Sequence, residues 1–190
     1  MRTLFDSGPA GSTAVLVMLP AAKARPEDFV AHGFVDAVRG RGLRLDIALA
    51  DAHPGLYLDG DIAERMESEL MQPLRAKGYD AIWLAGISLG GMGCVAYACR
   101  HAARIAGMLL LAPFLGLPDA NREPELLGEL AQAPLPEIFL GYGAEDRYAR
   151  ASELLARRLP AGRVTQLAGG HDWPTWGRLW NVMLAQAFEP

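Results

Sequence analysis

At 190 residues, 51% of them hydrophobic and 21% charged, the chain carries enough apolar material for one sizeable core, and no shift in composition marks a second domain; one domain over residues 1–190 is expected. With 18 basic against 22 acidic residues, a formal net charge of −4 and no basic run, it lacks the electrostatic footprint of a nucleic-acid or anionic-membrane binder. No apolar run approaches the roughly 20 residues that span a bilayer.

Residues 1–12 leave open whether they hold an edge strand. Thr13–Leu19 is the first clear strand. The stretch AVLVMLPAAKA at 14–24 imitates an export signal, but Arg2 is offset by Asp6, Gly8, Pro9 and Gly11 interrupt the approach, and cleavage would delete a core strand. A helix follows over Pro26–Arg39, with proline suited to its first turn and Gly40 to its close. Leu43–Leu49 forms the second strand, and ADAHPGLYLDG at 50–60 reads as a loop leaving it. Asp61–Lys77 is helical and closed by Gly78, Ala81–Ile87 is a strand, Gly90–His101 a helix and Ile105–Leu111 a strand. Leu117–Pro136, with four prolines, is mostly loop around a short helix at Glu123–Ala131. The strands Glu137–Tyr142 and Arg163–Leu167 then alternate with the helices Ala149–Leu159 and Pro174–Ala187. Most strands are continuously apolar rather than alternating, as strands covered on both faces are, so the order implies a parallel sheet wrapped by helices.

Cys94 and Cys99 lie five apart on one predicted helix, where their side chains point in different directions, so they are read as reduced thiols and a cytoplasmic setting is expected. Neither they nor the histidines have zinc-site spacing, and no glycine-rich loop is placed to cradle a dinucleotide, so no metal or organic cofactor is expected.

The segment LAGISLGG at 84–91 places Ser88 between Gly86 and Gly90 where a buried strand becomes a helix. Serine is a poor nucleophile unless its hydroxyl is exposed, beside a base and facing donors for an oxyanion. A tight strand-to-helix turn meets these needs. It brings the residues two before and two after so close that only small side chains fit, and it leaves the Leu89 amide at the helix start without an intrahelical partner.

Among the four histidines, His32 is mid-helix and His101 sits at a helix end where a cation meets carbonyls, while His171, in AGGHDW after the last strand, stands in a glycine loop that lets its side chain reach back over the sheet edge and is favoured as the base. Asp146, in LGYGAEDRY at the end of the preceding strand, is the first choice for the carboxylate that fixes its tautomer, with Glu145 and Asp172 as alternatives. Asp51, His53 and Tyr57 follow a strand at the end where open sheets take ligands and are candidates for the substrate pocket, as is apolar Phe114; a plain turn explains the first three equally well. Trp173, Trp176 and Trp180 read as a core-facing stripe.

The GISLGG elbow, the GAED turn and the GGHDW loop, in the order Ser88, Asp146, His171, make the sequence resemble a compact member of the α/β-hydrolase superfamily over roughly residues 13–187. The resemblance implies a three-layer α/β/α sandwich with a mainly parallel sheet, and the Leu117–Pro136 segment is too short to build a large cap or lid domain. It implies a serine hydrolase that cleaves a small-molecule carboxylic ester or thioester through an acyl-enzyme. An acyltransferase, or a non-catalytic binding protein of the same fold, is the alternative. Many members of the superfamily carry His-Gly after the strand that here ends at Leu19-Pro20. Proline cannot donate, so the second oxyanion amide falls to Ala21, with Ala22 as a substitute. The acyl-chain length and the oligomeric state have no signature in the sequence.

Overall fold

In a computed structural model that describes residues 1–116, 125–134 and 136–189, the chain runs β1 (Thr3–Asp6), β2 (Ala14–Leu19), α1 (Pro26–Ala31), α2 (Phe34–Gly40), β3 (Leu45–Ala50), α3 (Pro54–Leu58), α4 (Ile62–Met66), α5 (Gln72–Ala76), β4 (Ala81–Ile87), α6 (Leu89–His101), β5 (Gly107–Leu111), α7 (Glu125–Leu130), β6 (Glu137–Gly143), α8 (Ala149–Ala156), β7 (Val164–Leu167) and α9 (Trp173–Phe188). Every strand expected from the sequence is present within two residues at each end. The open question at the N-terminus resolves as an edge strand, β1, running antiparallel to β3. Of the proline-rich stretch 117–136, residues 117–124 and 135 lie outside the described residues, and so do the first two residues of the helix expected at Glu123–Ala131.

The seven strands form one sheet in the order β1-β3-β2-β4-β5-β6-β7, parallel throughout except for β1. Val15 through Leu19 and Met108 through Leu111 are wholly shielded from solvent, each such side chain contributing about 1.5–3 kcal/mol of burial. The reason is a helical layer on either face. α6 lies against β2 and β4 with α4 and α7 beside it, while α9 packs on β6 and β7 and meets α2, which pairs with α1. This is the mainly parallel, two-sided architecture of the α/β-hydrolase fold.

Two expected long helices are interrupted. Pro26–Arg39 breaks at His32 and Gly33, where Gly33 takes a left-handed φ of 75° and α2 starts in a new direction. Asp61–Lys77 holds a π-helical turn at Glu67–Met71 between α4 and α5. Pro73 stands two residues past its end, and a widened turn relieves the clash between a proline ring and the carbonyl four residues back. The same turn carries a buried carboxylate. Glu67 accepts from the Tyr97 hydroxyl (2.7 Å), from Arg75 (2.6 Å) and from Arg104 (2.8 Å). Burial alone would raise its pKa, but the bonds from Tyr97, Arg75 and Gln72 prevail and lower it from 4.5 to about 2. Because the folded value is depressed, the carboxylate's contribution to stability is full above pH 4.5 and is lost as pH falls toward 2. Glu67→Gln is therefore expected to cost about 2–3 kcal/mol at neutral pH and to flatten the acid limb of a stability-against-pH curve measured by urea denaturation.

Among the described residues, no helix is long and apolar enough to cross a membrane.

Candidate active site

Ser88 joins β4 to α6 with φ 53° and ψ −113°, a region that side chains other than hydrogen avoid at a cost of about 1–3 kcal/mol. Packing forces that conformation. A Cβ on Gly86 would stand 2.5 Å from the Gly90 carbonyl, and one on Gly90 would stand 2.1 Å from the Leu19 oxygen. The spacing of small residues read from the sequence is thus a steric requirement of the turn. Backbone bonds hold the serine on all sides: its amide donates to Leu111 O (2.9 Å), and its carbonyl accepts from Met92 N (3.2 Å) and Phe114 N (2.9 Å).

The bond from Met92 opens the ladder of α6, so the Leu89 amide belongs to the helix-start donors that the ladder leaves unused. The Leu19-Pro20 backbone crosses directly over Gly90. Half-buried Ala21 therefore follows beside the first turn of the same helix.

Asp146 and His171 reach the serine from two loops at the carboxyl ends of β6 and β7. The loops touch backbone to backbone. Ala144 N donates to Leu167 O (2.8 Å) and Glu145 N to Gly169 O (3.0 Å), while a Cβ on Gly143 would lie 2.1 Å from that Gly169 oxygen. Across this seam His171 Nδ1 is 2.7 Å from Asp146 Oδ2, and His171 Nε2 is 2.9 Å from Ser88 Oγ. A carboxylate only accepts, so Nδ1 carries the proton and Nε2 is left as the acceptor for the serine hydroxyl. Asp146 is 1% exposed and His171 14%, which leaves solvent able to approach the imidazole but not the carboxylate. The second carboxylate oxygen is satisfied by the Tyr148 amide at 2.8 Å.

The competing assignments are engaged elsewhere. Glu145 accepts from the Gly169 amide, and Asp172 caps α9 by accepting from Thr175 N at 2.9 Å. That bond, together with the Thr175 side chain, lowers the Asp172 pKa. His32 stacks on Trp173, with centroids 4.2 Å apart and planes 11° apart, and His101 packs on Tyr97.

The four pocket candidates separate. Asp51 pairs with Arg2, its amide donating to Arg2 O at 2.8 Å, out at the β1 edge. His53 directly precedes α3, a helix where the sequence reading expected a loop, without a side-chain bond to its first turn, and its ring lies over Gly55. Tyr57, on α3, points its hydroxyl at the Gly93 face of α6 beside Leu19, and burial pushes its pKa well up. Phe114 is beside the serine, through the bond to its carbonyl, and its ring meets Tyr148 at 6.4 Å. Two residues that carry no site signal in the sequence also touch His171. Tyr148 and Trp176 meet its ring at 5.0 and 4.9 Å. Trp176 does belong to the buried stripe, but one face of the stripe borders the imidazole.

Solved structures with this fold include the fluorophosphonate-binding serine hydrolase FphF of Staphylococcus aureus with bound substrate, at 10% identity and a TM-score of 0.72, over 97% of this chain and 91% of that one. Est1E of Butyrivibrio proteoclasticus aligns at 14% identity and 0.71 over 97% and 93%. The S-formylglutathione hydrolase of S. aureus aligns at 13% identity and 0.66 over 88% and 78%. A comparison with curated proteins finds no significant match. Residues 49–174, which hold Ser88, Asp146 and His171, match the alpha/beta hydrolase fold family model, and the chain belongs to that family.

Proposed function

We propose that this chain is a serine hydrolase acting on a carboxylic ester or thioester of a small molecule through an acyl-enzyme. The observation that carries the reading is the unbroken relay of 2.9 Å and 2.7 Å from Ser88 Oγ through His171 to Asp146. Fold alone would not suffice, since one scaffold hosts many chemistries.

In the first step Ser88 Oγ bonds to the substrate carbonyl carbon as its proton passes to His171 Nε2. The carbonyl oxygen becomes an oxyanion that the Leu89 and Ala21 amides receive, and Asp146 stabilises the imidazolium. When the carbon–oxygen or carbon–sulfur bond breaks, the leaving group takes the proton from Nε2. Water then gives a proton to the same nitrogen, attacks the acyl-enzyme and releases the acid with Ser88 restored. The 14% exposure of His171 leaves room for that water, which favours hydrolysis over transfer. Protein groups and water supply every step.

The test is labelling with a fluorophosphonate probe, mapped by peptide mass spectrometry, alongside turnover of oxygen and thiol esters of increasing acyl length. The expected result is one adduct on Ser88 and acid as product, with little new ester when alcohol is added. Folded protein that neither labels nor turns over any ester overturns the reading, and new ester at low alcohol concentration converts it to an acyltransferase.

A further inference from the structure

His171 is held by more than its two hydrogen bonds. Those bonds fix the imidazole along the line from Asp146 to Ser88, yet they do little to stop it swinging sideways out of that line. Two aromatic rings also meet it. Trp176 meets it at 4.9 Å with planes at 87°, and Tyr148 at 5.0 Å with planes at 77°, both within the edge-to-face range where aromatic rings attract. Trp176 is 5% exposed and is braced by Trp173 at 5.3 Å, so that ring is held fixed in the core.

The other ring comes from the carboxylate's own turn. Tyr148 lies two residues past Asp146 and its amide donates to Asp146 Oδ1 at 2.8 Å. Its ring reaches His171, carries the Arg147 guanidinium at 4.7 Å, and meets the edge of Phe114, whose amide bonds the Ser88 carbonyl. One residue therefore ties the carboxylate by its backbone and the imidazole by its side chain. Resting on the hydrolase reading above, we propose that Tyr148 is a positioning residue: its ring contact, added to that of Trp176, keeps the His171 ring in line between Asp146 and Ser88. A displacement of a fraction of an ångström at Nε2 lengthens the proton transfer path, which is costly to rate and neutral to substrate affinity.

The ring is the working part in this account, and the hydroxyl is not. Tyr148 is 39% exposed, so it can be truncated without opening the core, which Trp176 cannot. Tyr148→Ala is expected to lower kcat about tenfold with KM within about twofold. The rate of fluorophosphonate labelling should fall in parallel, and the low-field Nδ1 proton resonance of His171 should broaden. Tyr148→Phe should restore wild-type values in all three, with Tyr148→Leu between. A rise in KM at unchanged kcat would make Tyr148 a wall of the substrate pocket and overturn the proposal, as would a Phe variant as slow as Ala. Wild-type protein inert to probe and esters removes this proposal together with the hydrolase reading. Active wild type with an equally active Tyr148→Ala removes this one alone.

Discussion

Ser88→Ala should bring ester turnover down to the residual level given by bound substrate and oxyanion donors alone, a loss on the order of 10⁶ in kcat. The substitution deletes one oxygen and keeps the Cβ, so the contacts that shape the turn, between Gly86 and Gly90 and between Gly90 and the Leu19 carbonyl, are untouched. The backbone bonds from Ser88 to Leu111, Met92 and Phe114 also survive. The variant should therefore melt within about a degree or two of the wild type while losing all fluorophosphonate labelling. Turnover within tenfold of wild type would remove Ser88 from the mechanism and with it the acyl-enzyme.

Asp146→Asn is expected to cost about 10⁴ in kcat. The physical reason is the identity of the atom facing His171 Nδ1 at 2.7 Å. A carboxylate accepts and holds the proton on Nδ1, whereas a carboxamide can turn its NH₂ toward the ring, favouring the tautomer with hydrogen on Nε2. That hydrogen then points at Ser88 Oγ and the base is gone. Charge is lost as well, and at 1% exposure no water can replace it beside the forming imidazolium. Glu145→Gln and Asp172→Asn should each change kcat by less than about tenfold, because those carboxylates are committed to Gly169 and Thr175. A kinetic comparison of the three variants decides the assignment: near-normal Asp146→Asn with a crippled neighbour would move the acid.

How much of this was readable before any coordinates depends on the range of the interaction concerned. The elbow was legible because its constraint is local, since two glycines flank the serine at fixed spacing for a steric reason that the spacing itself announces. The continuous strands were legible from runs such as VLVML, where lack of alternation means cover on both faces. The break at Gly33 was not, because Pro26–Arg39 keeps an apolar periodicity through it and only tertiary packing turns α2 against α9. The π turn at Glu67–Met71 was hidden for a related reason: the apolar periodicity of Asp61–Lys77 runs through it, so Pro73 did not announce how the helix would make room for its ring. β1 has few residues and one neighbour, so its pairing with β3 decides it. At the site, Asp146 and His171 could be nominated by residue type and loop position, while Tyr148 and Trp176 could not, since an aromatic beside a histidine in space leaves no trace in spacing along the chain.

The unusual backbone angles of Ser88 carry a consequence for evolution of this molecule. A φ of 53° paired with ψ of −113° is comfortable only for a residue without a side chain, so the wild type and Ser88→Ala both keep the same tension. Ser88→Gly releases it, offset by the roughly 0.4–1 kcal/mol of extra freedom that glycine gives the unfolded chain, and should melt above the alanine variant in a calorimetric scan. On the hydrolase reading, the sturdier side chain at this one position would then be a mute one, and selection for robustness there would work against the chemistry.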